Sequence, residues 1–194
     1  MTEIDQIRYQ LEKAYEAYDS YEKPNLSVPT ELLAYKWATF AVEYIYAASI
    51  LAKEEFRFIK PQMLLTGHAI ECVLKACLVA SRSDPPDKHD LVQLYNLAKN
   101  YGYQLNDKSL AMIVHVNHYY YKDLGTKTKY KARYPTKTSE RSGGSVPPNS
   151  ICISIVNTLI EQISNNIVYP FREMFDSLKI YKENLQRTIR TTLE

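Results

Sequence analysis

Apolar residues recur at steps of three and four along most of this chain, which is the spacing of a buried helix face. The stripes predict helices over residues 4–20, 30–59, 61–81, about 91–99, 108–122, 150–168 and 171–190. Prolines lie between several of these segments, where they favour the end of a helix because proline cannot donate a backbone hydrogen bond. We therefore predict an all-α protein, an up-and-down bundle of five or six helices.

For two of these helices we predict which side chains face the core. The inward face of the 108–122 helix is predicted to carry Leu110, Ile113, Val114 and Tyr121. In the helix over 30–59, the large apolar residues and the alanines at three- and four-residue steps are predicted to face the core: Leu33, Trp37, Phe40, Ala41, Tyr44, Ala48 and Leu51.

Residues 123–149 break the helical pattern. This segment has almost no aliphatic residues and contains a Gly pair and two consecutive prolines. A connection of this length is usually functional or disordered. We predict a long basic loop before the last long helix of a single domain, 1–194, with a core over about 30–168 and a C-terminal helical extension over 171–194.

Composition limits the class of protein. The chain has 194 residues, 45% apolar and 24% charged, with a net charge of +2, as in ordinary soluble domains. There is no uninterrupted apolar run of membrane-spanning length, so we predict no membrane span and no membrane partner. Three cysteines without a CxxC pair indicate free thiols, and together with a charged N-terminus they predict a cytoplasmic protein.

Glu71 is the main conflict with the helix pattern. It lies at the edge of the apolar face of the 61–81 helix, about 20° from Leu78. Three interpretations are open: a half-exposed carboxylate paired with Lys75, a structural carboxylate that reaches another helix, and a catalytic group. A carboxylate that is buried must have partners.

Other polar residues stand where a helix would begin or be buried. His89 and Asp90 precede a helix, which predicts a cap by Asp87 or Asp90 and a hydrogen bond from His89 to the end of the preceding helix. Asn117 falls in an apolar stripe and therefore requires a partner. His115 and His118 have a possible metal spacing, but no acidic or Cys ligand accompanies them, so we predict no metal and no cofactor.

The segment 122–141 has a strong basic excess. Seven Lys and Arg residues against two acidic residues leave a local charge of +5, and tyrosines are interleaved with them. Cations bind phosphate and aromatic faces stack on bases, so two interpretations are open: a solvated basic loop and a loop that binds RNA or nucleotide phosphate. The candidate contacts are Lys127, Lys129, Lys131, Arg133, Tyr134 and Arg141.

The stretch "GHAIECVLKACLVA", followed after a short loop by "HDLVQLYNLA", resembles the HEPN superfamily, small α-helical domains of prokaryotic toxin–antitoxin, defence and RNA-processing systems. The later "VNHYYYKD" and "KARYP" are also similar to that family. The resemblance covers about residues 30–168. It implies a homodimer and a polar cluster in which Glu71 meets Asn117 or Arg133, with His89 nearby.

One feature of the family is missing. Active HEPN ribonucleases carry, in the late helix, an Arg and a His separated by four to six intervening residues, and "NSICISIVNTLIEQ" has neither. The formal match from Arg82 to His89 lies elsewhere. The resemblance therefore implies a non-catalytic RNA- or nucleotide-binding module. The alternatives are a metal-independent ribonuclease using His89, His118, Arg82 or Arg133, and an interaction subunit for an antitoxin or nucleotidyltransferase from a neighbouring gene.

Overall fold

The computed structural model of the chain describes residues 29–53, 58–121, 147–167 and 171–192. All regular elements in these ranges are helices, which confirms the predicted all-α bundle. They are α1 (Thr30–Leu51), α2 (Ile59–Ala80), α3 (Leu91–Asn100), α4 (Asp107–Tyr120), α5 (Asn149–Asn166) and α6 (Phe171–Thr192). The predicted helix over 4–20 lies outside the described residues.

Helix α2 is the centre of the bundle. It contacts α1, α3, α4 and α5, and its side chains are buried almost without interruption from Gln62 to Val79. A helix that is apolar on most of its circumference is stable in water only when neighbours cover it on several sides. The positions of the other helices are therefore set by what they contact on α2.

Helices α1 and α2 pack antiparallel and very closely. Their contacts run in opposite order along the two helices: Tyr44 meets His68, and Trp37 meets Lys75. The buried face of α1 is built largely from alanines, which allow the two backbones to approach. That face consists of Ala34, Ala38, Ala41, Val42, Ile45, Tyr46 and Ala48.

This buried face corrects the predicted one. Leu33 and Phe40 were expected in the core, yet they are 39% and 48% exposed. The stripe of large residues is rotated away from α2 because the alanines occupy the close contact. The predicted helix over 30–59 is also wrong in length, since α1 ends at Leu51 and a separate helix begins at Ile59.

The inward face of α4 differs from the prediction as well. Val114 is 45% exposed, whereas Val116 and Tyr120 are buried beside the expected Ile113. The face that meets α2 is therefore turned toward the side that carries Tyr120.

Local signals set several helix ends. Asp90 accepts hydrogen bonds from the backbone N–H of Val92 and Gln93, so of the two predicted caps, Asp87 and Asp90, it is Asp90 that caps α3. Asn106 caps α4 by accepting from the N–H of Ser109. Pro61 is tolerated in the first turn of α2, where backbone N–H groups have no helical partner. At the C-terminal end of α5, the Arg172 guanidinium of α6 donates to the carbonyls of Ser164 and Asn165.

Two further observations concern cysteines and membranes. Cys72, Cys77 and Cys152 are free and buried, as predicted for their thiol state. By length and mean hydropathy, α2 passes the test for a membrane span, although the sequence analysis found no apolar run long enough. Since 72% of that window is buried by protein, α2 has the character of a core helix of the bundle.

The end of α2 contains a strained residue. Arg82 has φ of 58°, in the left-handed region, and the N–H of Ser83 bonds to the carbonyl of Leu78 in a helix-ending motif that normally uses Gly. We predict that Arg82→Gly raises the free energy of unfolding by about 0.5–1 kcal/mol, measured by urea denaturation.

Arg82→Ala is the matched control. It removes the exposed side chain and its 3.8 Å contact with Glu31 but keeps a Cβ in the left-handed region. Equal stabilisation by both variants would show that the backbone conformation is not the cause.

Candidate functional site

The Glu71 carboxylate lies inside the bundle. Glu71 is only 2% exposed, so the interpretation as a half-exposed surface pair is wrong. Lys75 is still its partner, one helical turn along α2, with Nζ 2.9 Å from Oε1. Lys75 itself is 7% exposed and lies over the Trp37 ring of α1, 5.3 Å from the centroid. The cation is therefore held between a carboxylate and an aromatic face.

Two more helices contribute to the same carboxylate. The Tyr120 hydroxyl, at the end of α4, donates to Oε2 at 2.5 Å. His89, just before α3, places Nδ1 3.0 Å from both Oε1 and Oε2. One buried side chain of α2 thus joins α3 and α4 through hydrogen bonds. We call Glu71, Lys75, His68, His89 and Tyr120 the Glu71 cluster.

His68 joins the cluster through Tyr120. Its Nδ1 lies 2.9 Å from the Tyr120 hydroxyl and 4.0 Å from Oε2 of Glu71. The hydroxyl has one hydrogen, which it donates to Glu71, so toward His68 it accepts. His68 must therefore carry a proton on Nδ1.

His89 is fixed in the same tautomer, because its Nδ1 faces two carboxylate oxygens. In the neutral form of both rings the lone pair is then on Nε2, on the side away from the carboxylate. The His68 and His89 side chains are 36% and 29% exposed. Both rings therefore connect the buried carboxylate to the protein surface.

Asn117 holds the start of α3 beside the cluster. Its Oδ1 accepts from the backbone N–H of Leu91 at 2.9 Å, and its Nδ2 donates to Oδ1 of Asp90 at 3.2 Å. The amide thus satisfies a helix-terminal N–H that has no partner within the helix. By fixing Asp90 and Leu91, Asn117 positions the neighbouring His89.

The absence of a side chain at Gly67 makes room for Tyr120. A Cβ built at Gly67 would lie 2.2 Å from Cδ2 of the Tyr120 ring. The ring therefore packs directly on the α2 backbone, and this brings its hydroxyl to Glu71 one turn further along.

The electrostatics favour an ionised Glu71. Burial raises the pKa of its carboxyl, but hydrogen bonds from Tyr120, Lys75 and His89 and the charge of Lys75 outweigh burial, so the pKa lies below the ordinary 4.5. The carboxylate is accordingly charged at neutral pH and accepts from all its partners.

The residues predicted from sequence are distributed as follows. The structure joins Glu71 to His89 and places Asn117 against the neighbours of His89. His118 lies against the Tyr119 ring at a centroid distance of 4.9 Å, and the Arg82 side chain is 80% exposed at the end of α2. The rest lie outside the described residues: Lys127, Lys129, Lys131, Arg133, Tyr134 and Arg141.

Sequence reasoning missed the role of Tyr120. It belongs to three consecutive tyrosines, 119–121, whose directions on a helix differ by about 100° each. The usable signal was Gly67, since a glycine inside a helix often marks the close approach of another group.

Within the described residues, no group of three His, Cys, Asp or Glu side chains is arranged to hold a metal ion.

The fold and the cluster define an all-α bundle with a buried carboxylate that links three of its helices. Comparison with known proteins adds no family: no family model, no curated protein and no solved structure matches the chain. The HEPN resemblance therefore stays a prediction based on the motifs quoted above.

The ionised state of Glu71 predicts how stability depends on pH. Since the folded pKa is depressed, the unfolded chain takes up the proton first as the pH falls, and the contribution of Glu71 is lost below about pH 4.5. We predict that Glu71→Gln lowers the free energy of unfolding by about 3 kcal/mol at pH 7, because Lys75 is left buried without its counter-charge. The difference from wild type should shrink toward pH 3.

Urea denaturation of both proteins between pH 3 and pH 7 provides the measurement. Glu43→Gln is the matched control, since Glu43 is an exposed carboxylate that accepts from Tyr181 at 3.2 Å. A wild-type advantage over Glu71→Gln that does not change across this range would contradict the assignment of an ionised Glu71.

Proposed function

We propose that the protein is a HEPN-like, non-catalytic module that binds RNA or a nucleotide through the basic segment 122–141. The charge of +5 and the interleaved tyrosines of this segment support a phosphate-bearing, base-containing ligand. In this proposal the protein is cytoplasmic and homodimeric and belongs to a prokaryotic defence or toxin–antitoxin system, where a neighbouring gene could supply a protein partner.

The observation that carries the proposal is the anchoring of both flanks of the basic segment to α2. On the N-terminal side, Tyr120 packs on Gly67 and donates to Glu71. On the C-terminal side, Oδ1 of Asn149 accepts from Nε2 of Gln62 at 3.3 Å. Gln62 and Gly67 are five residues apart, about 7.5 Å along a helix.

The two attachments of the basic segment are both on the N-terminal half of α2, at Gln62 and Gly67. His68 and His89 are partly exposed in the same region. A phosphate chain bound there would meet both the basic segment and the surface edge of the Glu71 cluster.

The proposal predicts strongly salt-dependent RNA binding. Affinity for a fluorescein-labelled 12-nucleotide single strand, measured by anisotropy between 50 and 300 mM KCl, should fall steeply because bound cations release counterions from phosphate. Changing Lys129, Lys131 and Arg133 together to Gln should weaken binding and lower the magnitude of the salt slope by about 2, at roughly 0.7 per contact.

The matched control changes Lys53, Lys99 and Lys108 to Gln, which removes the same charge from exposed positions on other parts of the described surface. It should bind nearly as wild type. Binding that is insensitive to salt, or equal losses in the two triple variants, would count decisively against the basic segment as the contact.

A metal-independent ribonuclease is the second candidate, favoured by the geometry of His89. A carboxylate that holds Nδ1–H leaves the Nε2 lone pair to accept a proton, as a general base requires. In such an enzyme Nε2 of His89 would take the proton of a ribose 2′-hydroxyl, whose oxygen attacks the phosphorus to form a 2′,3′-cyclic phosphate, while the expelled 5′-oxygen takes a proton from water. Arg82 or Arg133 would stabilise phosphate charge, and His118 is the other acid–base candidate.

Cleavage of a labelled RNA in EDTA distinguishes this candidate from the binding module. For the enzyme, His89→Ala should abolish cleavage, and Glu71→Asn should reduce it in molecules that remain folded. For the binding module, purified wild type leaves the RNA intact while still binding it. Cleavage that persists in His89→Ala and in His118→Ala would exclude both histidines.

A further inference from the structure

Two histidines from different elements meet at the same buried carboxylate. His89 lies just before α3 and His68 lies in α2, and both direct Nδ1 toward Glu71. Measured from Oε2 of Glu71, Nδ1 of His68 is at 4.0 Å and Nδ1 of His89 at 3.0 Å, so these two nitrogens are no more than 7.0 Å apart. The two imidazoles therefore form a pair across one carboxylate.

The two histidines are also the members of the Glu71 cluster that a ligand can reach. Glu71 is 2% exposed, Lys75 7% and Tyr120 0%. The side chains of His68 and His89, by contrast, are 36% and 29% exposed. Any chemistry of the cluster on a bound molecule must therefore pass through the two imidazoles, while the buried groups orient them.

The carboxylate acts differently on the two rings. Nδ1 of His89 lies 3.0 Å from both oxygens of Glu71, so a proton taken up by this ring is balanced directly by the negative charge. Nδ1 of His68 faces the neutral hydroxyl of Tyr120 at 2.9 Å, with the carboxylate further away. Of the two rings, His89 is accordingly the better proton acceptor and His68 the better proton donor.

A base and an acid at a fixed separation are what phosphodiester transfer to a neighbouring hydroxyl requires. The attacking and leaving oxygens lie on opposite sides of the phosphorus, and the base and the acid each bind one of them. With a hydrogen bond of about 3 Å at each oxygen, the two catalytic nitrogens are separated by roughly 9 Å at most. The upper limit of 7.0 Å between the two Nδ1 atoms is of this size.

We propose that His68 is the general acid that works with His89 as base in metal-independent cleavage of a phosphodiester beside a free hydroxyl. This inference rests on the ribonuclease candidate described above and names its acid, which replaces water as the proton donor. The substrate class is RNA and not DNA, because DNA has no 2′-hydroxyl to attack the phosphorus.

The protons and bonds of this step balance. Nε2 of His89 takes the proton of the 2′-hydroxyl as its oxygen forms a bond to phosphorus. The bond from phosphorus to the 5′-oxygen breaks, and that oxygen takes the proton that the His68 imidazolium carries on Nε2. The products are a 2′,3′-cyclic phosphate and a free 5′-hydroxyl. One proton then leaves His89 for water and one returns from water to His68.

Two substrates with different leaving groups test the role of His68. The dinucleotide UpA expels an alkoxide that needs a proton, whereas uridine 3′-(4-nitrophenyl phosphate) expels a nitrophenolate that does not. In buffer with EDTA, His68→Ala should lower kcat/KM for UpA by about 100-fold and that for the nitrophenyl ester by less than about three-fold. His89→Ala should lower both by about 100-fold, because both substrates need the base.

The matched control is His115→Ala. His115 is a partly exposed histidine of α4 whose ring packs on Tyr119 at 5.2 Å, and its removal should leave both rates as in wild type. The nitrophenyl ester is also the folding control, since a His68→Ala protein that still cleaves it has kept its site. Thermal melting of each variant accompanies the rates.

The outcomes separate the acid from the ribonuclease candidate. An equal loss on both substrates in His68→Ala, or no loss on either, would overturn His68 as the acid and leave His89 as the base of a ribonuclease. Wild-type protein that cleaves neither substrate would overturn the pair and the ribonuclease candidate together. The proposed RNA binding would then still stand on the salt dependence of its affinity.

Discussion

The requirement that a buried charge be paired determines how this bundle is assembled around α2. Glu71 can remain ionised inside the protein only while Lys75, His89 and Tyr120 stay on its oxygens. Replacing a whole buried ion pair by apolar residues often leaves stability unchanged, whereas removing one partner lowers the free energy of unfolding. The main effect of the Glu71 cluster is therefore to fix the arrangement of the helices that it joins. A shift of α3 or α4 along α2 by one residue would break these bonds. The carboxylate therefore specifies the register of three helices, which apolar packing alone defines less strictly.

The sequence was sufficient to locate most of the described helices, it left the burial of Glu71 as one of three interpretations, and it failed where packing depends on small residues. Periodicity identified the segments because burial demands one apolar face per helix. In α1 that logic selected the large side chains, but Ala34, Ala38 and Ala41 form the contact because only small residues let two helices approach closely. The partners of Glu71 lie 18 and 49 residues away, and no local pattern reports which side chains tertiary packing will bring together. The role of Arg133 and the other basic residues of 122–141 stays a prediction.

The Glu71 cluster and the contacts of Tyr120 and Asn149 all use residues of α2 between Gln62 and Lys75. A rigid central helix is well suited to position such groups, because it keeps their separations constant. The two histidines share one tautomer for the same reason: each is bound to a hydrogen-bonding system that ends on Glu71.

The burial of all three cysteines has a practical consequence for handling this protein. Desolvation raises the pKa of the Cys72 and Cys152 thiols to about 12 and that of Cys77 well above its ordinary value, so the folded chain holds almost no thiolate at neutral pH. Alkylating reagents attack thiolates, and they reach these sulfurs only when the bundle opens. The rate of maleimide or iodoacetamide labelling therefore measures how often the helices around α2 open, and the measurement requires no engineered probe.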